Sequence, residues 1–223
     1  MNKLFHQYSK AAFSVLLTLL SAIQAQGEST PSYYAGTPKG TFSTTALGGA
    51  SYSVEIAVPL GIQGLQPQLS VVYNSQAGNG LVGWGCNLTG ISAITRVPRD
   101  IYHDGSPHGI SYDNNDAFAL DGNRLVLLQP SEGSDTAVYC LENSPYTRIT
   151  LYGLSSQHPS DLWFQVKTAD GMTREFGRSS GKHTYNKDGV SKVYAWNVSK
   201  AEDRSGNIMI YKYQMESNMT IVR

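Results

Sequence analysis

GTFSTTALGGASYSVEIAVPLGIQGLQPQLSVVYNSQAGNGLVGWGCNLTGISAITRVPR, from Gly40 to Arg99, decides the reading of the chain, because its short apolar runs are punctuated by glycine, proline and asparagine. That is the grammar of strands and tight turns. From Ser51 to Val58 the apolar residues Tyr52, Val54, Ile56 and Val58 alternate with small or polar ones, so an extended chain puts them on one face that is expected to bury together. Pro59 and Gly61 end that strand. Leu69 to Tyr73 is a β-branched and aromatic run, and the Gly78-Asn79-Gly80 segment after it is expected to supply positive-φ positions for a reversal. Ile91, Ile94 and Val97 open another extended run, which Pro98 closes.

Beyond Arg99 the same grammar continues. Asp104-Gly105 and Asp121-Gly122 sit between strand-like runs and predict reversals; Leu125 to Leu128 is a fully apolar strand candidate, and Ser131 to Asp135 a polar loop. Ala137–Leu141, Thr147–Tyr152, Leu162–Lys167 and Thr173–Phe176 follow as short strands, joined by Asn143-Ser144-Pro145, Gln157-His158-Pro159-Ser160 and Asp170-Gly171. A strand at Val193–Val198, a turn at Asp203–Asn207 and a returning strand at Ile208–Tyr213 complete the pattern. No window of about 12 residues after Ala25 keeps a helical period, so the expected fold is all-β, many short antiparallel strands in curved sheets.

The amino terminus differs in kind. Lys3 and Lys10 precede the apolar run Ala11–Leu20, and small residues lead to Ala25, the order of a secretory signal too short to span a bilayer. The predicted organisation is a signal peptide at 1–25 cleaved after Ala25, a flexible Ser/Thr/Pro/Tyr/Gly leader at 26–39, a β domain at 40–216 and a tail or truncation point at 217–223. Cleavage removes Lys3 and Lys10 from 17 basic residues and nothing from 17 acidic ones. A chain so near neutrality has no electrostatic footprint for nucleic acid or an acidic membrane. Cys86 and Cys140 lie in the exported part, where a bridge is chemically permitted; it would close a loop of roughly 54 residues and contribute on the order of 4 kcal/mol. Two free thiols are the alternative.

Several motifs invite chemistry and meet a plainer explanation. Gly78-Asn79-Gly80-Leu81-Val82-Gly83 satisfies GxGxxG, with Asp100 about 20 residues on, yet Trp84, Gly85, Cys86 and Asn87 follow where a pyrophosphate needs a helix N-terminus. A glycine-rich turn that lets Trp84 pack on a neighbouring strand is expected instead. Gly177-Arg178-Ser179-Ser180-Gly181 satisfies GxSxG, but Lys182-His183 follows at once, and a loop tip fits better than a nucleophile elbow. Asp113-Asn114-Asn115-Asp116 gathers oxygen ligands without EF-hand spacing, and His103, His108, His158 and His183 stand at no ligand spacing. The expectation is therefore no catalytic, cofactor-binding or metal residues and no cofactor. The 14 tyrosines are expected as cross-strand packing partners, with a sugar-binding face as the alternative.

GTFSTTALGGASYSVEIAVPLGIQGLQPQLSVVYNSQAGNGLVGWG, with ISAITRVPRDIYHDG and DAFALDGNRLVLL after it, closely resembles the amino-terminal domain of the SpvB family of bacterial virulence proteins, which also opens the B components of insecticidal toxin complexes. The resemblance covers roughly residues 36 to 216. It departs where the family usually carries a second tryptophan after Gly-Trp-Gly, and Cys86 stands here. Trp196, Asp203, Gly206-Asn207, Tyr211 and Tyr213, within 190–214, are similar to one unit of the Rhs/YD repeat, with no second copy. The resemblance implies a non-enzymatic, secreted module in the wall of a hollow β-shell that houses or precedes a toxic effector, with downstream Rhs/toxin domains or other toxin-complex subunits as partners. It implies a bacterial source, in which the Asn-x-Ser/Thr sites at Asn87, Asn197 and Asn218 stay unmodified, and a chain that is a fragment or truncated product. The competing reading is a secreted or cell-surface binding module, adhesin-like or carbohydrate-binding.

Overall fold

Alternation within short runs, with a glycine or Asx turn between them, produces a chain of strands. The computed structural model describes residues 39–222 apart from 114, 130–134, 155–160, 188 and 217–218, and Gly40–Arg223 forms one compact unit. The expected signal and leader, most of the loop at 131–135, the loop at 157–160 with His158, Asn114 and Asn218 lie outside the described residues. The strands are β1 (Thr41–Thr44), β2 (Ala50–Ile56), β3 (Leu69–Asn74), β4 (Asn79–Gly80), β5 (Gly83–Trp84), β6 (Cys86–Thr89), β7 (Ala93–Val97), β8 (Ala117–Leu120) and β9 (Asn123–Gln129). Then come β10 (Thr136–Leu141), β11 (Ser144–Tyr152), β12 (Trp163–Lys167), β13 (Thr173–Phe176), β14 (Lys182–Lys187), β15 (Val190–Glu202), β16 (Ile208–Ile210), β17 (Tyr213–Glu216) and β18 (Met219–Val222). One helical turn, α1 (Ile101–Asp104), joins β7 to the segment before β8.

The strands β7 to β13 pair in sequence order as an antiparallel meander, and β15 returns to pair with β7 on one edge and β13 on the other. Eight strands thus form a closed barrel. The strand β15 manages both contacts because it is 13 residues long and carries register shifts opposite His183/Thr184 and Glu175/Phe176, bulges that bend it around the ring. Its overhanging edges carry β14 and β16.

Inward-facing positions fill the barrel. Ile94, Phe118, Ile149, Leu151, Leu162, Phe164, Val166, Phe176 and Trp196 are all at most 1% exposed. Phe118, Phe164 and Trp196 meet edge to face with centroids 5.1 to 5.8 Å apart, and the Trp196 indole N–H donates to Leu162 O at 2.8 Å. At Gly177 a Cβ would run into the Trp196 ring, so this glycine, at φ 67°, is where the chain crosses the indole.

The amino-terminal sheet is ordered β1-β2-β3-β6-β5-β4. Its register puts Phe42, Tyr52, Tyr73 and Cys86 in one row across four strands, and Val54, Val71 and Leu88 in the next row on that face. The expected shared face of Tyr52, Val54 and Ile56 exists, but it is not buried: Tyr52 and Val54 are half-buried and Ile56 is 36% exposed. The strand itself stops at Ile56, two residues short of Val58.

Three local expectations are corrected. Gly78-Asn79-Gly80 is not the reversal; Asn79 and Gly80 belong to β4, and the chain turns at Leu81-Val82 before Gly83 at φ 124°. Asp104-Gly105 ends α1: Asp100 Oδ1 accepts from His103 N–H at the front, and Gly105 at φ 73° takes the left-handed position behind. Of Leu125–Leu128 only Leu125 is buried: Val126 points to the opposite face by strand alternation, and Leu127 and Leu128 lie at the register shift between β9 and β10. Asp121-Gly122 is the expected hairpin, with φ of 49° and 82°, and Asp203 Oδ1 accepts from Ser205 N–H and Asn207 N–H in the expected turn. Replacing Trp196 by alanine should lower unfolding stability by about 3–5 kcal/mol, read from the urea midpoint, whereas Trp84→Ala at a ring 74% exposed should leave it within about 0.5 kcal/mol.

Candidate functional site

Polar groups gather in three places. The first surrounds Arg96, which β7 points into the barrel mouth beside the core aromatics. Its side chain is 1% exposed; Nε–H donates to Val193 O, and one terminal nitrogen donates to Asp113 O at 2.7 Å and to Asp116 Oδ2 at 2.8 Å. The guanidinium carbon lies 5.4 Å from the Phe118 ring centre and 5.3 Å from that of Trp196. Burial pulls its pKa down, and the Asp116 carboxylate pushes it back up. Asp116 also accepts from Ser111 N–H and Tyr112 N–H. Of the oxygen-rich Asp113–Asp116 segment, the acid at its end is therefore committed to an arginine and two amides. Among the described residues no group of three or more His, Cys, Asp or Glu side chains is arranged to hold a metal ion.

The second cluster was not read from the sequence. Around α1, a cavity of about 490 Å³ is lined by Arg99, His103, Asp104, Arg124 and Tyr139 among others. Arg124 bridges Pro98 O and Asp104 Oδ2, and Asp100 N–H donates to that same carboxylate oxygen. Burial pushes Asp104 up, but these two bonds outweigh it and hold the acid below its usual range. Both nitrogens of His103 face carboxylates: Nδ1 is 2.7 Å from Asp100 Oδ2, and Nε2 is 3.3 Å from Glu142 Oε2. The Asp100 bond is the main cause raising this imidazole above its ordinary value. The available signal was Asp100 four residues before Asp104-Gly105, a capping acid and a terminating glycine around one turn. The network ties α1 to the β10–β11 corner.

The third is the GxSxG segment, which is an arch between β13 and β14. Gly177 N–H donates to Asn197 O, and Asn197 N–H donates to Gly181 O, so the arch straddles Asn197 on β15. Ser180 Oγ donates to Tyr211 O at 2.9 Å. Arg178 pairs with Glu175 at 2.8 Å and lies 4.6 Å over the Trp163 ring. A cavity of about 310 Å³ here is lined by Ser179, Ser180, Lys182 and Tyr213 with the two glycines and Arg178, and contains neither His183 nor an acid. His183 sits half-buried on β14, and burial lowers its pKa. Among the described residues that line this cavity, the serines are not joined by a histidine or a carboxylate.

The remaining candidates are quickly placed. Gly83 opens β5, and β6 rather than a helix follows; a Cβ at Gly80 would overlap Cys86 O, so close strand approach explains that glycine. Trp84 does not pack on a neighbouring strand as expected, because its position on the short β4–β5 hairpin leaves it in solvent. Cys86 and Cys140 are free thiols on different sheets. His108 turns its Nδ1 to Gly109 O in a surface loop. Tyr152 stacks on its cross-strand partner Trp163 at 4.2 Å, and with Arg178 also over that ring both of its faces are covered. Tyr213 OH donates to Val198 O. No described helix is long and apolar enough to cross a membrane.

Comparison with known proteins supplies a family. The model of the family described as SpvB, Salmonella virulence plasmid 65kDa B protein, matches residues 44–223. The crystal structure of TcdB2-TccC3 superposes with a TM-score of 0.61 at 20% identity, covering 83% of this chain and 10% of that one. A Photorhabdus luminescens Tc holotoxin pore structure gives 0.61 at 20% identity, over 81% of this chain and 9% of that one. The N-terminal domain of effector protein SpvB from Salmonella typhimurium strain LT2 gives 0.56 at 19% identity, over 74% of this chain and 55% of that one. The chain thus spans about a tenth of the toxin-complex chains it matches, and at these identities the likeness is one of fold. No curated protein matches it.

Two outcomes follow from the polar clusters. Asp116→Ala strands a buried arginine and should cost about 3–5 kcal/mol in urea unfolding, while Asp113→Ala, whose contact to Arg96 is through its backbone, should cost far less. The raised pKa of His103 makes its contribution complete below pH 6.5 and lost as pH rises through the folded value. The slope of stability against pH above 6.5 should therefore flatten in His103→Gln, most visibly at low salt.

Proposed function

Because this chain belongs to the SpvB family, we propose that it is a non-enzymatic structural module of a secreted toxin-complex or Rhs-type virulence protein, part of a β-shell around a toxic effector. The observation that carries this reading is the engagement of the buried polar side chains described above: Arg96, Asp116 and the Trp196 indole each hold one strand or loop to another. Serine, histidine and acid stay apart at the one hydrolase-like motif. What the fold offers outward is strand edges, at β1, β4 and the overhangs β14 and β16, and edges take up further strands. Downstream Rhs/toxin domains or other toxin-complex subunits are the corresponding partners. Export through the signal at 1–25, with cleavage after Ala25, puts the module outside the cell.

A second reading, an adhesin-like or carbohydrate-binding module, is favoured by one observation, the ring of Trp84 at 74% exposure. Trp163 is unsuited to that role because both its faces are taken, and Trp196 is inside the barrel.

Two measurements separate the readings. Genomic sequence beyond the codon for Arg223 should show an open frame encoding further β-hairpin repeats, and the purified chain should bind nothing reproducibly on a glycan array. An immediate stop codon, or glycan binding that disappears in Trp84→Ala, overturns the wall-module reading.

A further inference from the structure

Two neighbouring strands of the barrel diverge before they end. The strand β8 pairs with β7 along its whole length, from Ala117 opposite Val97 to Leu120 opposite Ile94, whereas β9 follows β10, with Leu125 opposite Leu141, Val126 opposite Cys140 and Leu127 opposite Tyr139. Between themselves β8 and β9 share two pairs, Leu120 with Asn123 and Ala119 with Arg124. The next partners in that register are Phe118 with Leu125 and Ala117 with Val126, and there the cavity of about 490 Å³ opens, lined by all four together with Leu127 and Tyr139. The two-residue Asp121-Gly122 loop makes Leu120 and Asn123 a hydrogen-bonded pair, while Asp121 N–H turns away to Ala93 O and Arg124 O turns away to Glu142 N–H. By alternation, Phe118 from one side and Leu125 and Leu127 from the other direct their backbone N–H and C=O groups at the gap.

The charges lining this gap leave one over. Arg124 and Arg99 share a single carboxylate, and Arg124 holds its Oδ2, while Arg99 Nε stays 3.7 Å from Oδ1 of the same Asp104. That Nε is buried without a hydrogen bond, and one terminal nitrogen of Arg99 reaches Asp104 O only at 3.5 Å. Asp116 is taken by Arg96, and His103 is held by Asp100 and Glu142, which lie outside the lining. Arg99 is thus the surplus cation, with donors to spare.

We propose that the parting between β8 and β9 is a docking slot for an extended, acidic peptide segment of another protein. The segment adds a short strand to the open edge of β9 and sets an Asp or Glu carboxylate against Arg99. A free carboxylate answers the charge but not the backbone groups, and an apolar strand answers the backbone groups but not the charge; an acidic strand answers both. The open edge at Leu125–Leu127 is roughly 10 Å long, enough for a strand of that same short length. The slot is distinct from the rim edges at β1, β4, β14 and β16, and it does not rest on the wall-module reading.

A random heptapeptide library displayed on phage and panned against the purified chain tests it. Enriched sequences should carry Asp or Glu within a run of β-branched residues. A synthetic copy of an enriched peptide should bind Arg99→Gln at least about tenfold more weakly than the unmodified chain, with the far-UV spectrum and urea midpoint unchanged. Arg178→Gln, at the arch between β13 and β14, should bind it as the unmodified chain does. Hydrogen exchange supplies a readout in the unmodified chain, independent of how any variant folds. Saturating peptide should slow exchange several-fold at the amides of Phe118, Leu125 and Leu127, and acetate at the same concentration should not. Failure to enrich acidic sequences, equal binding by a folded Arg99→Gln, unchanged exchange at those three amides, or the same protection from acetate alone each overturns the proposal.

Discussion

Closure of the ring by β15 is the constraint on which the rest depends. Residues Ala195–Asn197 pair with Ala93–Thr95, and the same strand, from Val198 onward, pairs with β13. Among the described residues no other strand touches both ends of the meander. The two bulges follow from that task, since a strand that serves as first and last stave must bend more than its neighbours. So does the place of Trp196, which enters the interior where the two ends of the meander meet and stacks the core aromatics against itself. Arg96 completes the arrangement from β7, its guanidinium joining β15 through Val193 O to the loop that leads into β8.

Side chains fill the closed barrel, and most of the polar groups described at its rim hold one another, although Arg99 Nε is buried without a hydrogen bond, 3.7 Å from Asp104 Oδ1. The Asp100–His103–Glu142 and Asp104–Arg124 contacts brace a single helical turn. The arch at Gly177–Gly181 is pinned to both backbone groups of Asn197. These are devices for fixing strands and loops. The amino-terminal sheet is different in kind: it pairs its backbone across six strands, yet none of its strand residues is buried.

Much of the fold was legible in the sequence where a period of two or a turn signature operates locally. Tyr52, Val54 and Ile56 announced their shared face, and Asp121-Gly122 its hairpin, because neighbours along the chain decide those features. What the sequence left hidden depends on contacts far apart. Alternation says which side chains share a face but not whether anything lies over it, so Val54 and Val166 read alike although one is half-buried and the other inside the barrel. Barrel closure was equally invisible, because nothing in Ala93–Val97 names its partner. The charged cluster around α1 escaped because Asp104-Gly105 has two uses, hairpin corner or helix end, and only the Asp100 cap distinguishes them.

The pairing of Ile94 with Trp196 joins positions more than 100 residues apart. A nascent chain can build the meander from β7 to β13 one hairpin at a time, each step closing only a short loop, but the final stave arrives after all the others. Until then the aromatic interior is an open trough. Such a protein acquires its native state in one late, cooperative step, and it spends the interval as an unsealed sheet whose rate of self-assembly is limited by topology more than by local propensity.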